Sequence, residues 1–229
     1  MTIIKEFDDL IICKIDNLLE INNQSLDKLN LNRSKKLIIT FDKEIENENI
    51  LLNEIPSRYY TKIAYSIKKN LLNNQIFNLP SDISIFSFNT QEEFQRYYYY
   101  QFETFYNNWK KYLPENYINV LAQAAKEKEF IDKTKYLCLS KNATIISFTT
   151  LIKWYDYNKN PADLVGHIWI DVSLEKEKRN IIRNYFSYWF KKNMNTETLL
   201  AGIDVFNIRS QKFFRKMGFK PKWITIKLK

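Results

Sequence analysis

The segment LVGHIWIDV, residues 164–172, holds the side chains best suited to move a proton. Its alternating pattern is typical of a strand, in which successive side chains point to opposite faces. One face carries His167, Trp169 and Asp171, and the other carries Ile168, Ile170 and Val172. His167 is the only histidine, and an ordinary imidazole pKa of about 6.5 suits a base that takes a proton from an ammonium, directly or through water. Asp171 is the second candidate base, and a histidine packed in the core is the structural alternative.

The net charge of +9 is unevenly distributed along the chain. Residues 1–80 hold 11 basic and 11 acidic side chains, so their net charge is zero. Residues 176–229 hold 14 basic and 3 acidic side chains, and 14 minus 3 gives +11. A basic field confined to one segment favours an anionic partner, and a solvated basic face without a ligand is the alternative.

The segment NIRSQKFFRKMGF, residues 207–219, has the features of a complete helix. Asn207 is a favourable N-cap residue, and Gly218 stands where a helix ends in a left-handed residue. The spacing puts Ser210, Phe213, Phe214 and Met217 on one side and Arg209, Lys212 and Lys216 on another. The pattern predicts an amphipathic helix that presents a basic stripe.

Residues 82–229 predict an ordered series of elements that would position these side chains. The series is a strand, a long helix capped by Thr90 and Glu93, a second helix over 115–130, three strands (135–140, 143–152 and 164–172), a helix, a strand, the closing helix and a last strand. This order predicts an α/β sheet covered by helices. In residues 1–80, segments 8–21 and 57–72 look helical and 35–41 looks like a strand, so we predict two units, 1–80 and 81–229.

Composition limits the class of protein. With 229 residues, 45% hydrophobic and 16% aromatic, the chain can bury a large core. Cys13 and Cys138 are too far apart in sequence for a disulfide framework or a metal knuckle, so we expect a reducing cytoplasm. No apolar run approaches the roughly 20 residues of a membrane helix, so no membrane partner is expected.

The terminal helix resembles the signature of the GNAT acyltransferase superfamily, N-x-x-A-x-x-x-Y-x-x-x-G-F. The match runs through Asn207, Ser210 in place of Ala, Phe214 in place of Tyr, and the pair Gly218-Phe219. Segment 166–190 is similar to that superfamily's fourth strand and following helix, and the resemblance covers about residues 82–229. It implies an α/β fold with a GNAT-like mixed central sheet flanked by helices, here with a small N-terminal α/β extension.

The resemblance also implies a function and a set of contacts. The expected reaction is N-acyl transfer of an acetyl or short acyl group from acyl-coenzyme A to a primary amine of a small molecule or peptide. In the superfamily, pantetheine lies between the fourth and fifth strands, and the pyrophosphate rests at the N-terminus of the next helix. A backbone amide of the fourth strand meets the oxyanion of the reacting carbonyl. The cofactor contacts implied here are Ile170, Val172, Lys178, Arg179, Asn180, Ile181, Ile182, Asn207, Ser210 and Phe214. Lys176 and Arg183 add positive charge for the phosphates.

Two departures from the superfamily pattern leave alternatives open. The phosphate loop, Q/R-x-x-G-x-G/A, falls on Glu177, Asn180 and Ile182, without either glycine. Either the loop takes another path, with Lys178 and Arg179 compensating, or coenzyme A is not held. Phe214 replaces the tyrosine that would protonate the leaving thiolate, a step that water can perform because a thiol titrates near pH 8.5.

Other functions and assemblies stay open at this stage. An inactive GNAT-fold interaction module fits the altered loop, and a tRNA-binding or aminoacyl-tRNA-dependent transferase fits the basic C-terminal segment. A homodimer is also compatible with the sequence. The aromatic run Tyr97–Tyr100 either borders the acceptor site or belongs to the core. A helical core stripe favours the core for most of it; the stripe is formed by Phe94, Tyr97, Tyr98, Phe102, Phe105 and Trp109.

Overall fold

The computed structural model describes residues 1–6, 10–15, 21, 23–29, 31, 35–41, 59–73, 78–114, 117, 119 and 134–228. The strands are β1 (Thr2–Glu6), β2 (Leu10–Ile15), β3 (Lys36–Phe41), β4 (Tyr59–Lys68), β5 (Ser84–Phe86), β6 (Thr134–Lys141), β7 (Thr144–Tyr155), β8 (Pro161–Ile170), β9 (Thr198–Asp204) and β10 (Lys220–Leu228). The helices are α1 (Asn23–Asp27), α2 (Gln91–Trp109), α3 (Lys176–Asn193) and α4 (Ile208–Lys216). The helix predicted over 115–130 lies largely outside the described residues.

These ten strands form one mixed sheet in the order β1-β2-β3-β10-β4-β9-β8-β7-β6-β5. The pairs β2–β3 and β8–β9 are parallel, and the other pairs are antiparallel. Helices α3 and α4 pack on one face through Ile182, Phe186 and Phe214, and α2 packs on the other through Phe94 and Tyr98. The predicted α/β class, a mixed central sheet flanked by helices, is therefore confirmed. No described helix has the length and apolar character needed to cross a membrane.

The segment 57–72 was predicted to be helical, and this prediction is wrong. It forms β4, which lies in the middle of the sheet between β10 and β9. Thr61, Ile63 and Tyr65 are buried at every second position, and Ala64 is buried on the opposite face. A strand covered on both faces is apolar nearly throughout, so its periodicity does not distinguish it from a buried helix.

The helix predicted over 8–21 is also wrong where the chain is described. Leu10–Ile15 forms β2, which pairs in parallel with β3. Ile11 and Cys13 face one core cluster, and Ile12 faces another. The strand predicted at 35–41 is confirmed as β3. Strands from both sides of residue 80 share one sheet, and the division at residue 80 stays a prediction.

Helix α2 begins as its sequence predicts. The Thr90 hydroxyl accepts a hydrogen bond from the Glu93 amide at 3.2 Å. The Glu93 carboxylate accepts one from the Asn89 amide at 2.9 Å. These bonds satisfy amides that have no partner within the helix. The regular helix ends at Trp109, four residues before the predicted end, and a 3₁₀ turn follows over Lys110–Tyr112.

Helix α4 is capped at both ends as predicted. The Asn207 side chain accepts from the Ser210 amide at 3.1 Å. At the other end Gly218 has φ of +88°. Its amide donates to the Arg215 carbonyl at 2.9 Å, and the Phe219 amide donates to the Phe214 carbonyl at 3.1 Å. This pair of bonds is a Schellman motif, which explains the need for glycine at this position.

Strands β8 and β9 are paired only over a short stretch. Their register runs from Asp163↔Leu199 to Val165↔Ala201 and then stops. Both strands continue, β8 to Ile170 and β9 to Asp204. β9 stays paired with β4 to its end, and β8 stays paired with β7. A gap therefore opens within the sheet beyond Val165 and Ala201.

The gap begins at a β-bulge centred on Gly166. Thr150 pairs with His167 and Leu151 with Val165, so Gly166 has no residue opposite it on β7. A Cβ atom at Gly166 would lie 2.3 Å from Ile152 Cδ1 and 2.9 Å from Thr150 Oγ1. Bulges increase local twist and turn a strand away from its neighbour, so this glycine is placed where β8 leaves β9.

Gly166→Ala is expected to destabilise the protein by about 1–3 kcal/mol, the usual cost of an added methyl group in a closely packed site. Gly202→Ala is the matched control, because its Cβ would approach only Lys62 Cδ, at 4.0 Å. Urea denaturation of both variants checks the expectation. Equal stability of the two variants would contradict the close packing assigned to Gly166.

Candidate active site

A cavity of about 750 Å³ lies at the gap between β8 and β9, within the size range of small-molecule sites. Its walls come from α2, from the end of β8, and from α3 and α4, so residues from both faces of the sheet line it. The side chains from α2 are Gln101, Thr104, Phe105, Asn108 and Trp109. The sequence pattern put Phe105 and Trp109 in the core stripe of this helix and gave the other three no role, although the spacing of three and four marks one face of a helix.

Six cationic side chains line this cavity: Lys176, Arg179, Arg183, Arg209, Lys212 and Lys216. The first three follow one face of α3, and the other three form the basic stripe of α4. The Arg179 Nε is buried and has no hydrogen-bond partner among the described residues. A buried guanidinium nitrogen without a partner is costly, and Arg179 as a residue lines the cavity. The electrostatics of the cavity therefore favour an anionic ligand.

Helix α3 starts at Lys176 with Glu175 as its N-cap residue, which places the first unpaired amides at the cavity wall near Lys176. This helix contains the three positions that align with the superfamily's phosphate loop, Glu177, Asn180 and Ile182. Asn180 lines the cavity. Ile182 is fully buried in the core, facing away from solvent. Residues 177–182 therefore form the first turns of α3 rather than a glycine loop.

Two other predicted contacts lie away from the cavity lining. The Lys178 ammonium donates to Asp82 Oδ2 at 2.7 Å, and Lys141 pairs with the same oxygen at 3.0 Å. These cations hold the pKa of Asp82 at about 2, Lys178 having the larger effect. Ile181 is half-buried and is not part of the cavity wall. Arg179, adjacent to Lys178, provides the positive charge at the cavity instead.

The backbone of β8 offers amides to the gap. His167 donates its amide to Thr150 Oγ1 at 2.9 Å, and Asp171 donates to the Ile146 carbonyl at 2.8 Å, so both point toward β7. Since amides alternate in direction along a strand, those of Ile168 and Ile170 point into the gap. Ile170 and Val172, both predicted as cofactor contacts, line the cavity.

His167 lies among aromatic rings, with its ring centroid 5.3 Å from Phe102, 6.0 Å from Phe148 and 6.4 Å from Tyr98. Burial lowers the pKa of His167 to about 4 because apolar surroundings penalise the charged form. The imidazole is therefore neutral at pH 7 and is a weaker proton acceptor than an exposed histidine. It accepts a hydrogen bond readily in this state.

Asp171 follows the end of β8 and does not line the cavity. Its Oδ1 accepts from the Ser173 amide at 2.9 Å, which fixes the turn between β8 and α3. Trp169 lies on the His167 face, packed against the aromatic cluster of α2, and Ile168 and Ile170 pack on the opposite core. The predicted alternation of side chains along β8 is therefore confirmed.

The start of α4 closes the other side of the cavity. Asn207 and Ser210 line it, and Phe214 is buried beneath them, with its ring centroid 5.0 Å from Phe219. Phe214 belongs instead to the wall of a second cavity, of about 400 Å³. The two cavities share Phe105, His167, Ile168, Asn207 and Ser210. Among the described residues that line both cavities, His167 is the one with a titratable side chain.

The described residues contain no group of His, Cys, Asp and Glu that could hold a metal ion. Cys13 and Cys138 are buried free thiols in separate core clusters, and burial raises the pKa of the Cys138 thiol to about 12. Neither thiol lines the two cavities. The chemistry available at the gap is therefore that of backbone amides, cationic side chains, a neutral imidazole and the carboxylate described below.

A scan against protein-family models and a search of curated proteins found no match. Among solved structures, the chain is similar to a conserved protein of unknown function from Staphylococcus epidermidis, with 15% identity and a TM-score of 0.47, covering 95% of this chain and 81% of that one. It is also similar to a GCN5-related N-acetyltransferase from Sphaerobacter thermophilus, with 10% identity and a TM-score of 0.46, covering 84% of this chain and 60% of that one. A GCN5-related N-acetyltransferase from Kribbella flavida matches at 9% identity and a TM-score of 0.41, covering 84% and 66%.

The chain thus spans less than two thirds of the length of each of these two acetyltransferases. A fold alone does not identify a function, because one fold hosts many unrelated activities.

Proposed function

We propose that the protein is a GNAT-type N-acyltransferase that moves an acetyl or short acyl group from acyl-coenzyme A to a primary amine. The observation that carries the proposal is the gap between β8 and β9, which opens into a cavity lined by six cationic side chains. Diverging strands alone would suit many ligands. The cations, Arg179 among them, and the start of α3 together favour one that carries several phosphates.

The residues fit such a ligand without a glycine loop. Coenzyme A has a phosphate-rich end and a long neutral arm, and the cavity has a basic wall on α3 and α4 and a largely neutral wall on α2 and β8. Lys176, Arg179 and Arg183 would hold the phosphates, and Asn180 would add a neutral contact. The Ile170 amide would pair with the arm, as a neighbouring strand of the sheet otherwise would.

Acyl-coenzyme A supplies an activated acyl group as a thioester. The protein's own contribution is to position the reactants and to exclude water. The Ile168 amide is the donor we assign to the carbonyl oxygen, because it faces the gap beside the His167 ring. The acceptor reacts as the free amine: its nitrogen forms a bond to the acyl carbon, the carbon–sulfur bond of the thioester breaks, and the proton that the nitrogen loses passes to solvent. His167, neutral at pH 7, accepts a hydrogen bond from the attacking amine and so orients the amine's lone pair.

Phe214 provides no hydroxyl for the departing thiolate, so solvent supplies that proton. Asp171 has no part in this mechanism because its carboxylate is bound in the turn that follows β8. The acceptor enters through the second cavity and meets the acyl group at the five shared residues. A cytoplasmic location fits the supply of acyl-coenzyme A and forms part of this proposal.

Acetyl-coenzyme A at about one hundred times its Kd is expected to add about 2.7 kcal/mol of stability. For a chain of this size, that corresponds to a Tm increase of about 5–10 °C. Acetyl-pantetheine, which lacks the nucleotide phosphates, serves as the control and should give a much smaller increase. An unchanged Tm with acetyl-coenzyme A would overturn the proposed function and would favour a non-catalytic module of the same fold.

A further inference from the structure

The second cavity contains a carboxylate that the cofactor site does not use. Asp204 ends β9 and is 6% exposed. It lines the smaller cavity and does not line the larger one. Sequence reasoning gave Asp204 no role, because it reads as the last residue of an ordinary strand.

Two tyrosines fix the Asp204 carboxylate. The Tyr60 hydroxyl donates to Asp204 Oδ1. A further hydrogen bond joins the hydroxyls of Tyr60 and Tyr117. Burial, and then the charge of Asp204, hold the pKa of Tyr60 well above its usual value, so this phenol stays protonated and remains a donor. Asp204 lines the smaller cavity, so its carboxylate is placed to contact a ligand there.

The position of Lys62 shows that the smaller cavity accommodates an ammonium group beside Asp204. Its Nζ lies 4.0 Å from Asp204 Oδ1, 5.6 Å from the Tyr60 ring centroid and 5.9 Å from the Tyr117 ring centroid. An ammonium therefore already lies beside the carboxylate and two aromatic faces. The Lys62 side chain is 37% exposed and meets Asp204 at the limit of an ion pair, so it is weakly held and can move aside.

The remaining wall adds further aromatic surface. Phe102, Phe105, Tyr98 and Trp154 line the cavity together with Tyr117. A carboxylate surrounded by aromatic rings binds organic cations through charge-assisted hydrogen bonds and cation–π contacts. If Lys62 moved away, a neutral or anionic ligand would leave the Asp204 carboxylate without a positive charge beside it.

We propose that the acceptor amine carries a second cationic group, and that Asp204, with Tyr60 and Tyr117, binds this group. The inference rests on the proposed acyltransferase function. The reacting amine must lie at the residues shared by both cavities, where the acyl group is within reach. Asp204 lines only the smaller cavity, so it contacts a part of the acceptor remote from the reaction. Diamines and polyamines have this chemistry.

The test measures binding by calorimetry for α,ω-diaminoalkanes of four to eight carbons against alkylamines of equal length. At least one diamine is expected to bind wild-type protein about tenfold more tightly than its matching monoamine. Asp204→Asn should abolish that preference. Lys62→Gln should increase it several-fold, because the competing ammonium is gone. Glu92→Gln, which removes an exposed carboxylate at the start of α2, is the matched control and should leave it unchanged.

The absence of a diamine preference across the series overturns the inference, as does a preference that survives Asp204→Asn. If Asp204→Asn does not fold, Lys62→Gln decides the matter, and an unchanged preference in that variant also overturns it. The proposed function is tested separately by the Tm increase with acetyl-coenzyme A. That increase, together with no diamine preference, would reject the second-cation inference alone.

Discussion

Arg179→Met is expected to weaken acetyl-coenzyme A binding by about ten- to a hundred-fold. Arg179 lines the cavity, so its guanidinium is placed to donate hydrogen bonds to a bound phosphate. Hydrogen bonds to charged groups are worth about 1.5–3 kcal/mol, which gives that range of affinities. Methionine retains the apolar stem and removes the charge. Calorimetric titration measures the change directly.

Lys192→Met is the matched control for Arg179→Met. It removes one positive charge from the same helix at an exposed position in its last turn, so its effect on affinity should stay below about threefold. Lys178→Met tests the cofactor contact that the sequence resemblance implied for Lys178. In the structure the Lys178 ammonium is hydrogen-bonded to Asp82, so this variant should lose little affinity for acetyl-coenzyme A. A larger loss of affinity in Lys178→Met than in Arg179→Met would contradict the assigned orientation of α3.

Ile182→Gly is expected to lower the free energy of unfolding by about 3–6 kcal/mol. Ile182 is fully buried in the core shared with Phe186 and Phe190, and truncating a buried isoleucine costs about 2–5 kcal/mol. A glycine within a helix adds about 1 kcal/mol. The substitution restores the glycine of the superfamily's phosphate loop in sequence only, since position 182 lies inside α3. Urea denaturation followed by circular dichroism measures the loss.

Asn184→Gly controls for the backbone cost in that experiment. Asn184 lies two positions further along α3 and is only half-buried, so its replacement should cost less than about 1 kcal/mol. Ile182→Gly protein that is as stable as wild type and binds acetyl-coenzyme A more tightly would show that position 182 faces the phosphates. That result would require α3 to begin later than Lys176.

The parts of the fold set by local rules could be predicted from the sequence. Asn207 and Gly218 mark the ends of α4 because capping depends on neighbouring residues alone. Thr90 and Glu93 mark the start of α2 for the same reason. The alternation along β8 predicted which side chains share the His167 face, because one side of that strand is polar.

Other features depend on distant parts of the chain and could not be predicted in this way. β4 and β2 look helical because neighbours on both faces bury them, which removes the polar alternation of a half-exposed strand. The helical course of residues 177–182 depends on the packing of Ile182 in the core. The Asp204 site needs Tyr60 from β4, and no local pattern joins two residues so far apart in the sequence.

The pKa of His167 shows how tertiary structure alters a correct identification. Its position on β8 at the candidate site followed from the sequence, along with its usual value of about 6.5. The aromatic rings of Phe102 and Tyr98 could not be placed around it until the fold was known. The His167 imidazole stays neutral down to about pH 4. It is therefore better suited to position an amine through a hydrogen bond than to remove a proton from it.

The most direct measurement is a crystal structure of the protein with a coenzyme A thioester. We expect difference density running through the gap between β8 and β9, with the arm beside the Ile170 amide and the phosphates against Arg179 and the start of α3. Density elsewhere on the protein, or a gap closed by β8 pairing with β9 along its whole length, would contradict an acyl-coenzyme A site at this position.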